Sequence, residues 1–172
     1  MLLSIIINKF RIVLIRKPIN HMRIELYSSE YLNIVELNTT GDNDNYVKGD
    51  SESKYAQSEV FNLFANCFEN ANKLYEFFGE TKFNSRKIVP LRNELINKLE
   101  SLENIESLEN FQNHLNQVFL GQEFIDELIV DDPKWTENWK KYKDKLIEVN
   151  RGLIDITDKC IEEEKVLWVI GY

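Results

Sequence analysis

The apolar positions of this chain fall into several helical stripes and a few short runs of β-forming residues. The longest stripe follows Asp132. Trp135, Trp139, Tyr142, Leu146, Val149, Leu153, Ile156 and Cys160 recur at alternating spacings of four and three. That period puts them on one side of an α-helix, and its length predicts a single long amphipathic helix packed into a bundle. Asp131-Asp132-Pro133 supplies the start signal, an acidic cap followed by proline at the first helical position. Gly152 falls inside the stripe, where glycine costs about 1 kcal/mol. The phase survives it, so the helix is expected to run on to about Cys160.

Three further stripes precede it. Asp50 or Ser51 can cap a helix whose face is Val60, Phe64, Cys67, Ala71, Leu74 and Phe78, with Phe61, Phe68 and Tyr75 as a flanking row and Gly79 as the stop. Asn84 or Ser85 can cap a second, with Ile88, Leu91, Leu95, Leu99 and Leu102 inward. Pro90 confines its regular part to start near Val89. Ser107 caps a third, carrying Leu108, Phe111, Leu115 and Phe119 and ending at Gly121. Gln122 to Val130 makes one more short helix with Phe124, Ile125 and Leu128.

The β-like stretches lie at the two ends. Arg23–Tyr27 and Tyr31–Leu37 are separated by Ser28-Ser29-Glu30, which predicts an N-terminal hairpin. Asn38–Ser53 is a polar loop. Val166–Ile170 reads either as the last helical turn or as a strand joining the hairpin. The expected fold is therefore α+β and predominantly α: a bundle of four to five helices with a small N-terminal β-hairpin or sheet.

Composition adds a compartment and a polarity. The 172 residues are 43% hydrophobic and 12% aromatic, enough for one packed domain. Net charge is -8, and residues 1–21 hold four basic and no acidic residues, which leaves -12 on residues 22–172. Nucleic acid and anionic membrane are poor partners for such a body. The leader is too interrupted by charge to span a bilayer, and its basic residues come in the wrong order for a signal peptide. The change in character at Met22 gives the expectation that residues 1–21 are an upstream extension and 22–172 the single α-rich domain, with a buried strand at Ile12-Val13-Leu14-Ile15 as the alternative. Cys67 and Cys160 are far apart on apolar faces, which fits reduced thiols in a cytoplasmic protein.

Candidate chemistry is sparse. Asp42-x-Asp44 begins like a calcium loop, but Tyr46 and Val47 stand where that loop wants an oxygen ligand and glycine. The two histidines, His21 and His114, have no ligand-spaced neighbours, so neither metal nor cofactor is expected. Arg16 and His21 fit the Arg-x4-His spacing of the HEPN ribonucleases over six residues. They do so in the leader beside Pro18, not late in a bundle helix, and no activity is read from them. Lys140, Lys141, Lys143 and Lys145 form the outer face of the long helix.

What remains is acidic surface: Asp42, Asp44 and Asp50 in the polar loop, and Glu123, Asp126, Glu127, Asp131 and Asp132 around the short helix. The expected function is a non-enzymatic protein-binding domain, of antitoxin or immunity type, that occludes a basic partner through these residues. A helical-bundle enzyme or small-ligand binder using clustered carboxylates is one alternative. Self-assembly through the Trp135–Cys160 stripe as a homo-oligomer is another.

Overall fold

The computed structural model describes residues 22–28, 34–118 and 120–171. The leader with its Arg16–His21 pattern, the turn expected at Ser29-Glu30, and Phe119 lie outside them. Within them the chain is mixed α+β and mostly helical. Four strands, β1 (Ile34–Asn38), β2 (Lys54–Gln57), β3 (Glu80–Phe83) and β4 (Leu167–Gly171), form one antiparallel sheet in the order β2-β1-β4-β3. The sheet joins both ends of the chain. An interrupted helical segment comes first, made of α1 (Ser58–Phe61), a 3-10 turn (Asn62–Phe64) and α2 (Ala65–Ala71). It is followed by α3 (Ile88–Glu103), α4 (Leu108–Asn116), α5 (Gly121–Asp131) and α6 (Trp139–Glu162).

The expected N-terminal hairpin or sheet is matched in part: a sheet forms, but the pairing it shows for β1 is with β2 and β4. Residues 22–28 lie beside β2, joined to it by a bridge between Tyr27 and Tyr55 and by Arg23 N, which donates to Gln57 Oε1 at 2.7 Å. The strand alternative for Val166–Ile170 is the one realised, and β4 sits centrally. Every residue of β1 is buried because both sheet faces are covered. Val35, Leu37, Leu167 and Val169 enter the main core with the helices. On the opposite face Trp168 and Ile170 pack under Tyr46 of the 39–53 loop.

That loop is tied to the sheet by polar groups. Glu36, which is fully buried, accepts from Ser53 Oγ at 2.7 Å and from Gly49 N at 3.1 Å. Asn38 Oδ1 accepts from Thr40 N and Gly41 N, and Asn38 Nδ2 donates to Val47 O. Trp168 Nε1 donates to Asp42 O.

The helix expected over 51–78 is a strand followed by a shorter, broken helix. Asp50 accepts from Glu52 N and so caps a turn, after which Lys54–Gln57 pairs with β1. At the far end the buried Asn72 is extended. Its side chain accepts from Leu74 N and donates to Lys82 O of β3, a local competition that asparagine wins against the helix backbone. Leu74 and Phe78 are consequently exposed rather than inward.

The later helices follow their patterns more closely. Pro90 falls in the first turn of α3, and Ser107 Oγ accepts from Asn110 N as the cap of α4. Gly121 opens α5 rather than only closing α4. A Cβ there would lie 1.9 Å from Leu115 O, so only glycine permits this junction.

The long helix starts one turn and a half later than Asp132-Pro133 implies. Asp132 instead organises the turns before it, accepting from Lys134 N, Asn138 Nδ2 and Tyr142 OH. The helix does run unbroken through Gly152, where a Cβ would come within 2.8 Å of Leu26 Cδ1. Trp135, Tyr142, Leu146, Val149, Leu153 and Cys160 are all buried within the single chain, with α3 the principal neighbour of α6. The stripe thus packs inside the chain, against α3.

One core position breaks the apolar rule. Asn150 is fully buried and neither amide atom has a hydrogen-bond partner. An unpaired buried amide costs about 1–3 kcal/mol, and an apolar residue of similar size removes that penalty. Asn150→Leu is expected to raise the unfolding free energy by about 1–2 kcal/mol and Tm by several degrees. Calorimetry checks this, and a lowered Tm would contradict it.

Candidate functional site

Among the described residues a cleft of about 340 Å³ opens beside the sheet. It is built by three segments distant in sequence. The α1 and 3-10 segment contributes Ser58, Glu59, Phe61 and Asn62; the 72–79 loop contributes Tyr75, Phe77 and Phe78; the start of α5 contributes Leu120 and Glu123, with Val35 and Gly171 closing the sheet side. The loop takes this position because Asn72 ends α2. It is then held by Thr81 Oγ1, which accepts from Glu76 N, and by Gly171 N, which donates to Gly79 O at 2.8 Å.

The floor is rigid and aromatic. Phe61 and Tyr75 each pack on Phe68, at 4.8 and 5.8 Å between ring centroids, and Phe68 meets Phe83 edge-on at 5.5 Å. Burial raises the Tyr75 hydroxyl well above the usual phenol range, so it stays neutral. Leu120 reaches the wall in a left-handed conformation (φ 63°). That costs a non-glycine residue about 1–2 kcal/mol, and the tight α4–α5 junction imposes it.

The polar groups of the cleft are of one kind. Glu59 and Glu123 are its ionisable carboxylates, and no lysine, arginine or histidine lines it among the described residues. Asn62, only 3% exposed, also lines it. Phe78, although it lines the cleft, is 80% exposed and packs against Phe77 at 4.8 Å, and Leu74 of the same loop is 82% exposed. Val130 is also exposed, one face of α5 below Glu123 and Glu127.

Of the acidic residues singled out from sequence, Glu123 alone lines this cleft. Asp42 forms a turn, accepting from Asp44 N and Asn45 N, and these bonds hold its carboxyl below the usual range. Asp44 and Glu127 are exposed, and Asp50 caps its turn. Asp126 accepts from Gln122 Nε2 and Asp131 accepts from Met22 N. The Tyr142 hydroxyl, ahead of Asn138 and Lys134 N, lowers the Asp132 carboxyl. The loop acids and the α5 acids thus belong to different parts of the surface. Glu59 and Asn62 were not expected. The signal that could have found them is the polar run Asn70-Ala71-Asn72, which breaks a helix just before Phe77-Phe78-Gly79.

Other reactive groups are spent on structure. Burial pushes the Cys67 thiol up to about 12 and the Cys160 thiol up to about 11, so neither is a ready nucleophile. Burial lowers His114 to about 4. Arg92 pairs with Asp158 between α3 and α6, apart from the cleft lining. Among the described residues no group of His, Cys, Asp and Glu is gathered for a metal, and no helix is long and apolar enough to cross a membrane. No family model, curated protein or solved structure matches the chain.

Proposed function

We propose that this chain is a non-enzymatic, acidic protein-binding domain that docks a basic partner, in the manner of an antitoxin or immunity protein occluding its effector. The observation that carries this reading is the composition of the cleft and its rim: carboxylates without a counter-cation inside, large apolar side chains held out in water beside them. Solvent-exposed aromatic and aliphatic residues grouped around a concavity are what a protein interface buries at its centre. The net charge of the body steers a cationic partner towards it. The acidic loop at Asp42–Asp50 contributes to that long-range field rather than to the contact.

The test is capture of the partner from the native cell, followed by binding measurements on the purified pair. Phe78→Ala and the double change Glu59→Lys, Glu123→Lys should each weaken binding by at least about tenfold, because a central anchor or a reversed charge pair is worth more than 1.4 kcal/mol. These side chains are on the surface, so stability should move by no more than about 0.5 kcal/mol. Binding should also fall as salt rises. Undiminished binding in both variants would overturn the assignment of this surface.

A further inference from the structure

We infer that the outer face of α5 is the docking face for the chain's own basic segment, residues 1–21.

The segment joins the described chain at one end of that helix. Met22 N donates to Asp131 Oδ2 at 3.2 Å, which fixes the junction beside the last turn of α5. From there the solvent side of α5 reads back in a set order. Val130 is 73% exposed. Glu127 and Glu123, also exposed, stand three and seven positions before it and share its stripe of the helix. Asp126 is exposed between them. Gly121–Asp131 contains no lysine or arginine, and among the described residues none forms an ion pair with Glu123 or Glu127. Leaving the junction, the face is therefore apolar first and acidic next.

The segment carries the complementary order. Read back from Met22, it offers Ile19, then Lys17 and Arg16, then the apolar run Ile15-Leu14-Val13-Ile12. It holds four basic and no acidic residues in a chain whose net charge is -8. Its length suffices. Glu123 lies about 12 Å along the helix from Asp131, at about 1.5 Å per residue. The chain from Arg16 to Met22 spans up to about 20 Å when extended. Ile19 can then cover Val130 while Lys17 and Arg16 reach Glu127 and Glu123. The negative C-terminal end of α5 favours cations in its last turn as well. Each exposed ion pair is weak alone. The covalent tether holds the segment at an effective concentration on the order of millimolar, so weak contacts acting together suffice. A separate basic molecule has no such advantage. Glu123 also lines the cleft, so a partner seated there competes with Arg16 for it. That consequence rests on the protein-binding reading above; the docking itself does not.

The experiment is a paramagnetic NMR measurement on the full chain with no partner present. A nitroxide is attached at Gln122→Cys, at the end of α5 away from the junction, and in a second sample at Val47→Cys, which is exposed in the 39–53 loop. Cys67 and Cys160 are buried and stay unlabelled. The label on α5 should broaden the amide signals of residues 11–17, and the label on the loop should leave them sharp. Arg16→Glu with Lys17→Glu should remove the broadening. Adding Glu123→Arg with Glu127→Arg to that variant should restore it, which a merely perturbed fold would not do. Added salt should weaken it. Signals of residues 11–17 that stay sharp with the α5 label, broaden equally with both labels or ignore the charge reversal would overturn the inference. Broadening of an isotope-labelled chain by a separate spin-labelled copy would also overturn it, by giving the face to a second molecule. Because no partner is present, failure here leaves the protein-binding reading standing, and failure to capture a partner leaves the docking standing.

Discussion

Replacing Glu36 with alanine lowers the unfolding free energy by about 3–5 kcal/mol and frees the 39–53 loop from the sheet. The carboxylate has no exposed surface, and it receives hydrogen bonds from Ser53 Oγ, Gly49 N and, at 3.3 Å, Asn38 Nδ2. Removing it strands these donors under a covering loop. Each unpaired buried group costs about 1–3 kcal/mol, and loss of a charged acceptor stands at the upper end. A domain of this size is stable by about 5–15 kcal/mol in total, so the effect is a large fraction of it. Glu36→Gln should be milder, about 1–2 kcal/mol, because the amide oxygen still accepts and the Ser53 hydroxyl can turn to receive the new N–H. Urea unfolding measures the loss. Trp168, whose indole donates to Asp42 O beneath the loop, should report it as a changed native-state fluorescence. A change below about 1 kcal/mol for the alanine variant would mean the latch carries no weight.

Leu95→Ala is expected to cost about 2–5 kcal/mol. Leu95 is fully buried on α3, the helix most extensively packed on α6 and also the neighbour of α2. Truncation leaves a void that helices anchored on both sides cannot collapse into, so the cavity penalty adds to the lost transfer energy. Asn97→Ala, two residues on and exposed, should change stability by less than about 0.5 kcal/mol. Matched urea curves for the two variants check the contrast. Equal effects would contradict the assignment of α3's inner face.

Much of the helical half could be read from local pattern. The Leu91-Leu95-Leu102 stripe, Pro90 in a first turn, Ser107 as a cap and the α5 span depend on neighbours within a turn or two, which sequence displays directly. The sheet was harder. β1 and β4 meet from opposite ends of the chain, and no local signal shows that Leu37 will pair with Val169. Lys54–Gln57 is a strand because β1 offers it a ladder, although Asp50 and Ser51 before it look like helix caps. Leu74 and Phe78 kept the helical spacing yet left the core, because the side chain of Asn72 ended the helix first. That same event made the cleft, which is why a search for clustered acids found Glu123 and missed Glu59 and Asn62. Asp132 shows the converse error: its carboxylate caps a turn ahead of the helix it was expected to start.

Hydrogen–deuterium exchange on the chain with and without its partner tests the proposed binding surface most directly, because it reports every segment at once. Protection should concentrate in Ser58–Asn62, Asn72–Gly79 and Leu120–Glu123, leaving the 39–53 loop exchanging as before. Protection confined to Asp42–Asp50, or none at the cleft when the partner is saturating, would contradict the account.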